Sequence, residues 1–183
     1  MELMEALRTR RAVREFTGVP IEEDVIEELI GAAILAPSAV NLQPWGFAVV
    51  QGVERLHGLS AEAKHHVQAH LPPGSPLAIH AADPAFAVFH GAAALVVICA
   101  INDESQSSED CCLAGENFML AAHARGLGTC WIGLSRPWLN DPAVKAKLGI
   151  PARWHAVAPI ILGHRGTLPP PTPRGKARIV WSR

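Results

Sequence analysis

This sequence has no apolar run long enough to cross a membrane. The longest, Gly91 to Ile101, is about half of the roughly 20 residues that a spanning helix needs, so it reads as a buried strand. Met1-Glu2-Leu3-Met4-Glu5 carries acids where a secretion signal would carry lysines and then an apolar stretch, so the expected location is the cytoplasm. The four cysteines, Cys99, Cys111, Cys112 and Cys130, contain no CxxC pair, and two of them are adjacent. That argues against a zinc cage or a disulfide framework. His66 and His70 could share one face of a helix, but no acid completes a metal motif beside them, and no metal is expected. GxSxG, HExxH and GxxxxGK[ST] are all missing, and Gly126-Leu127-Gly128 running on to Gly133 does not fit GxGxxG. Cys130 lies in a strand pattern without a nearby His or Asp, which makes it a core residue rather than a nucleophile.

After Asp141 the sequence has no acid at all. The formal net charge of −1 conceals this asymmetry. Arg8, Arg10, Arg11 and Arg14 crowd one end, while Lys145, Lys147, Arg153, Arg165, Arg174, Lys176, Arg178 and Arg183 follow Asp141; together these hold most of the 16 basic residues. A fold that joins the two ends makes a compact site for a phosphate or other small polyanion. A pI near 6.7, with no basic aromatic platform, argues against nucleic acid as a partner.

With 183 residues, 49% of them hydrophobic, the chain is expected to form one domain over residues 1–183. Leu3 and Leu7 mark a short helix, and the apolar positions from Val25 to Ile34 predict a half-buried helix over Glu22–Ala36, stopped by Pro37. Ser38–Pro44 reads as a polar loop, Gly46–Gln51 as a strand and Gly52–His70 as a helix, followed by the Leu71-Pro72-Pro73-Gly74 break. Ala93–Ile101 is predicted to be a central strand, and Asp110 to cap a helix that Gly126 ends. Strands at Thr129–Gly133 and Trp154–Leu162 flank a short helix that starts at Asp141-Pro142. The prolines and glycines from Gly163 to Lys176 rule out a helix, and Arg178–Trp181 reads as an edge strand. A tail of this kind gains most by lying against a second subunit, where Ile179 and Trp181 can be buried. Irregular alternation of helices and strands, with no glycine-rich turn after the first strand, predicts an α+β fold rather than a doubly wound sheet.

Four segments together resemble the nitroreductase family of FMN-dependent homodimers. They are Arg10-Arg11-Ala12-Val13-Arg14-Glu15-Phe16, close to RRSxRxF; Ala36-Pro37-Ser38-Ala39-Val40-Asn41-Leu42-Gln43-Pro44-Trp45, close to APSxxNxQPW; Gly126-Leu127-Gly128-Thr129-Cys130-Trp131-Ile132-Gly133, close to GLGxxWIG; and Pro173-Arg174-Gly175-Lys176. Their order and spacing match over nearly the whole chain. The resemblance implies a mixed, mainly antiparallel central sheet flanked by helices, with the C-terminal arm exchanged between subunits and FMN at the interface.

On that resemblance, Arg10 and Arg11 with Arg174 and Lys176 clamp the phosphate. Ala12 sits among them, and Pro37, Ser38, Ala39, Asn41 and Gln43 meet the cofactor from the other subunit. Arg14 stabilises the negative charge of the reduced ring, and the backbone around Trp131, Ile132 and Gly133 meets the ring's N5. The implied activity is a ping-pong reaction in which NADH or NADPH reduces the flavin and an electron-poor acceptor, such as a nitroaromatic or a quinone, reoxidises it. No protein acid or base is obligatory. The same fold could instead run a dehydrogenation or modify the flavin itself, or merely bind FMN or another polyanion. Two departures bear on the site. Ala12 replaces the family's serine and removes one hydroxyl donor, and the short chain lacks extra helices to cover the flavin, so an open, permissive site is expected. The stretch from His65 to Pro76 is expected to border it.

Overall fold

The computed structural model describes residues 1–72 and 74–182; Pro73 of the expected break and Arg183 of the basic C-terminal set lie outside the described residues. Its centre is a four-stranded sheet built from β1 (Trp45–Gln51), β2 (Ala94–Ala100), β3 (Leu127–Trp131) and β4 (His155–His164), in the order β1-β2-β4-β3. Every neighbouring pair is antiparallel. Every residue of β2 is buried, which explains why this strand reads as a continuous apolar run instead of an alternating one.

The two-residue period of a strand divides that run between two cores. Val96 and Ile98 face α2 (Glu23–Ala33) and α5 (Ser107–Ala124), packing with Leu29 and Phe118. Leu95 and Val97 face the other side, with Leu56 and Leu59 of α3 (Val53–His70), Phe89 and Trp138. α1 (Leu3–Thr9) packs on α5, while α4 (Pro76–Ala82), α6 (Arg136–Leu139) and α7 (Pro142–Leu148) fill the connections. Asp141 caps α7 as expected, its carboxylate accepting from the N–H groups of Ala143 and Val144.

Three local expectations need correction. α2 stops at Ala33, three residues early, because the chain turns through Ile34 and Leu35 before Pro37 is reached. Asp110 is not the N-cap of α5, which begins at Ser107; its carboxylate has another partner, described below. Residues 178–181 form no strand in the isolated chain, where Ile179, Val180 and Trp181 are 64%, 96% and 75% exposed. An edge strand needs a neighbour, and among the described residues this chain supplies none to the tail. No helix among the described residues is long and apolar enough to cross a membrane.

Candidate functional site

The basic N-terminal segment lies across the β3–β4 edge of the sheet. Val13 donates to the Thr129 carbonyl, Thr17 to that of His164, and the Gly166 N–H to the Glu15 carbonyl, all at 2.9–3.0 Å. Two glycines permit this close approach. A Cβ on Gly128 would lie 2.8 Å from Val13, and one on Gly163 would lie 2.6 Å from the Phe16 ring. Val13 and Phe16 thereby anchor the segment, and Arg14 between them stays exposed.

The segment delivers its arginines to the C-terminal half of α5. Arg10 pairs with Glu116 at 3.3 Å. Arg11 donates through one terminal nitrogen to the Arg8 and Arg10 carbonyls, while its Nε is buried without a partner among the described residues. Such a donor calls for an acceptor that the described residues do not provide. Next to them His123 is 4% exposed, and its pKa is lowered first by burial and then by Arg165, Arg10 and Arg11. Its Nε2 lies 2.8 Å from the Thr9 hydroxyl, which donates to the Glu5 carbonyl. The hydroxyl proton is thus used, so we assign the Nε2–H tautomer to a neutral imidazole. Arg165, Arg10 and Arg11 thus place positive charge about a histidine kept uncharged, a cationic cradle beside the buried Arg11 Nε.

Beside this cradle opens a cavity of about 460 Å³ lined by Arg14, Trp131, Ile132, Gly133 and Leu134 on one part, and by Leu77, His80, Phe86, Val88 and His90 on the other. At Gly133 a Cβ would meet only the Trp131 ring at 3.6 Å, so the missing side chain preserves open space rather than packing. The adjacent Cys130 is 2% exposed, with burial raising its pKa and Arg14 and Arg10 opposing that rise. It is a core thiol, as its strand position implied. The cavity wall comes from residues 77–90, so the expectation that His65–Pro76 borders it is displaced toward the C-terminus.

The loop at residues 36–43 lies elsewhere. Val40, Asn41 and Gln43 all have left-handed backbones, with φ of 42°, 59° and 49°. For β-branched Val40, 90% exposed, this is a strained conformation. Asp110 holds the loop, its two carboxylate oxygens accepting from the Ala39 N–H at 3.3 and 3.2 Å. The Ser38 hydroxyl accepts from the Gln43 N–H, and the Gln43 amide donates to Asn41. Asp110 and His123 stand at opposite ends of α5, which at about 1.5 Å per residue puts them roughly 20 Å apart.

Of the residues singled out from sequence, Arg10, Arg11 and Ala12 meet at the cradle and its edge, and Arg14, Trp131, Ile132 and Gly133 meet at the cavity. Pro37, Ser38, Ala39, Asn41 and Gln43 gather about 20 Å away by that rise, and Arg174 and Lys176 lie exposed in the tail. Sequence reasoning missed Asp110, His123, Phe86, His80 and His90 as members of the site. Only Arg165 carried a signal, through its place in the acid-free C-terminal stretch.

The model of the Nitroreductase family matches residues 7–164. A NADH dehydrogenase/NAD(P)H nitroreductase of Archaeoglobus fulgidus is 32% identical over 163 residues, covering 89% of this chain and 85% of that protein. The 5,6-dimethylbenzimidazole synthase of Rhodospirillum rubrum is 30% identical, covering 84% of this chain and 77% of its own. A nitroreductase with bound FMN from Bacteroides fragilis superposes with a TM-score of 0.83 at 26% identity, covering 98% and 99% of the two chains. With its fold, its basic segment and its cavity wall all in the matched region, the chain is an oxidoreductase of the nitroreductase family.

Proposed function

We propose that the protein is an FMN-dependent NAD(P)H oxidoreductase of the cytoplasm, active as a homodimer. The observation that carries the reading is the division of the site. One chain holds a cation cradle beside an aromatic-walled cavity, but keeps its strained polar loop at the far end of α5. A second copy brings its own loop to the first copy's cavity, and each tail then covers Ile179 and Trp181 against its neighbour.

The residues fit FMN in its parts. Arg10, Arg11 and Arg165, joined by Arg174 and Lys176 once the arm is exchanged, hold the phosphate, and the partnerless Arg11 Nε gains an acceptor. Ser38, Asn41 and Gln43 hydrogen-bond the cofactor from the other subunit. The backbone at Trp131, Ile132 and Gly133 faces the ring, and Arg14 supplies the positive charge that favours its anionic reduced form. When bound, FMN supplies the centre that accepts and returns hydride, so donor and acceptor use one pocket in turn. The chain binds, orients and excludes water. Cys130 behind the ring is buried and burial raises its pKa, so this thiol packs in the core.

Nitroaromatics and quinones suit this pocket as electron-poor planar acceptors. The 30% identity to a 5,6-dimethylbenzimidazole synthase motivates a second reading, oxygen-dependent breakdown of the flavin. The test is the visible spectrum of the purified protein, before and after anaerobic NADH or NADPH. Flavin bands near about 370 and 450 nm that bleach with nicotinamide support the reading. A protein that cannot be reconstituted with FMN refutes it, and flavin fragments formed after reoxidation in air favour the second reading.

A further inference from the structure

We propose that the His80–Phe86–His90 wall of the cavity is the acceptor subsite and that it selects planar aromatic acceptors carrying a carboxylate. The inference rests on the flavin reading, which assigns Arg14, Trp131, Ile132 and Gly133 to the cofactor and leaves this wall to the second reactant.

The wall is a continuous aromatic surface. The His80 and Phe86 ring centroids are 4.6 Å apart and tilted by 58°, and those of Phe86 and His90 are 6.0 Å apart and nearly perpendicular. Leu77, Val88 and Leu134 extend it with apolar groups suited to the body of a ring. Lys64 of α3 pins the turn beneath, donating to the carbonyls of Asp83 and Phe86 at 2.6 and 3.0 Å, with its ammonium 5.9 Å from the Phe86 centroid.

The charge around this surface has one sign. The titratable groups that line the cavity are Arg14, His80 and His90, and no acid lines it. Neither imidazole side chain has a hydrogen-bond partner among the described residues. His90 is half-buried with φ of 50°, and with Gly91 at 68° it forms the centre of a turn closed by the Ala92 N–H donating to the Phe89 carbonyl, which fixes its place in the wall. The charged groups facing it are Arg14 from the N-terminal segment and His80 from α4, with Lys64 of α3 behind Phe86; burial and then those first two lower its pKa. Two free imidazole donors on an apolar wall, backed only by cations, lack the anion that would complete them. A carboxylate on an aromatic ring supplies both the anion and the stacking face.

The test compares benzoate with benzamide, its uncharged counterpart, by calorimetry on the flavin-loaded protein at pH 5.5 and pH 8, with flavin content read in the same samples. Benzoate is ionised at both pH values, and protonation of His90, whose pKa is lowered by burial, Arg14 and His80, is favoured by the lower pH and by a bound carboxylate. Benzoate should bind about tenfold tighter than benzamide at pH 5.5, the factor set by one hydrogen bond to a charged group, and the preference should shrink at pH 8. His90→Asn, which tolerates a left-handed backbone, should reduce the pH dependence, and His80→Gln should lower the preference for benzoate. Equal affinities for the two ligands in flavin-loaded wild type would overturn the subsite, as would a preference unchanged in both variants. A protein that takes up no FMN fails the flavin reading instead, and the acceptor assignment falls with it.

Discussion

Gly128→Ala is the sharpest perturbation of the seat that carries the arginines. The added methyl would lie 2.8 Å from Val13 Cγ1, 2.9 Å from its Cβ and 3.1 Å from Cγ2. Because the Cβ is among these atoms, no rotamer of Val13 relieves the clash, and either the 10–16 segment or β3 must shift. Overpacking of this kind costs roughly 1–3 kcal/mol. At this chain length each kcal/mol lowers Tm by about 2–4 °C. The displaced segment also carries Arg10, Arg11 and Arg14, so FMN affinity should fall by about tenfold for every 1.4 kcal/mol lost at the cradle. Differential scanning calorimetry and FMN titration measure the two effects. The double variant Gly128→Ala, Val13→Gly removes every atom that the new methyl would meet and should recover part of both losses, although Val13→Gly alone is destabilising. Wild-type Tm and FMN affinity in Gly128→Ala would refute the reasoning. So would a double variant no better than the single one.

Asp110→Ala leaves the Ala39 N–H without its acceptor in a half-buried position, at a cost of about 1–3 kcal/mol, and should speed FMN release measured by stopped-flow dilution, while Asp110→Asn, keeping one acceptor, should do less. Trp181→Ser removes an aromatic side chain, 75% exposed in one chain, from the proposed exchanged arm; sedimentation should show the dimer weakened by roughly tenfold or more, from about 1.5–3 kcal/mol per large apolar group. His123, His90, His66 and His155 all have lowered pKa values, burial being the first cause in each. The unfolded chain therefore binds more protons below its ordinary histidine pKa of about 6.5, so stability present above that pH should be lost as pH falls through the folded values. Urea midpoints of the FMN-free protein between pH 7.5 and 5 should show this decline, smaller in His123→Asn.

The elements that were legible in the sequence are those whose side chains are decided by one dominant neighbour. The residues from Ala94 to Ala100 are apolar because helices cover both faces of β2, and α2 shows its period because one face meets the sheet. Motif spacing revealed the basic segment and the strained loop. Asp110 was misread because an acid near a helix start usually caps it, whereas this one serves Ala39, 71 residues away in sequence. His80 and His90 left no local mark. They become neighbours of Arg14 only when α4 and the following turn fold across the cavity, pinned by Lys64. The tail was legible as a segment without internal structure, but the strand expected at Arg178–Trp181 does not form among the described residues.

The distribution of backbone strain agrees with the proposed roles of the loop and the cavity wall. The non-glycine residues with positive φ are Val40, Asn41, Gln43 and His90. Val40–Asn41 and His90–Gly91 lie at the centres of turns closed by the Leu42 N–H on the Ala39 carbonyl and by the Ala92 N–H on the Phe89 carbonyl. Three sit in the loop assigned to the cofactor, and the fourth stands in the cavity wall assigned to the acceptor. Strain of about 1–2 kcal/mol at a β-branched residue persists only where surrounding contacts over-determine it, and the buried Asp110 carboxylate is the contact that does so here. Val40→Gly therefore separates two accounts of the loop. If the strain has no role, the variant gains stability and keeps its FMN affinity. If the strained geometry presents Ser38 and Asn41 to the neighbouring subunit's cofactor, the isolated chain gains stability while FMN affinity falls, and it is this divergence between Tm without FMN and Kd for FMN that we expect.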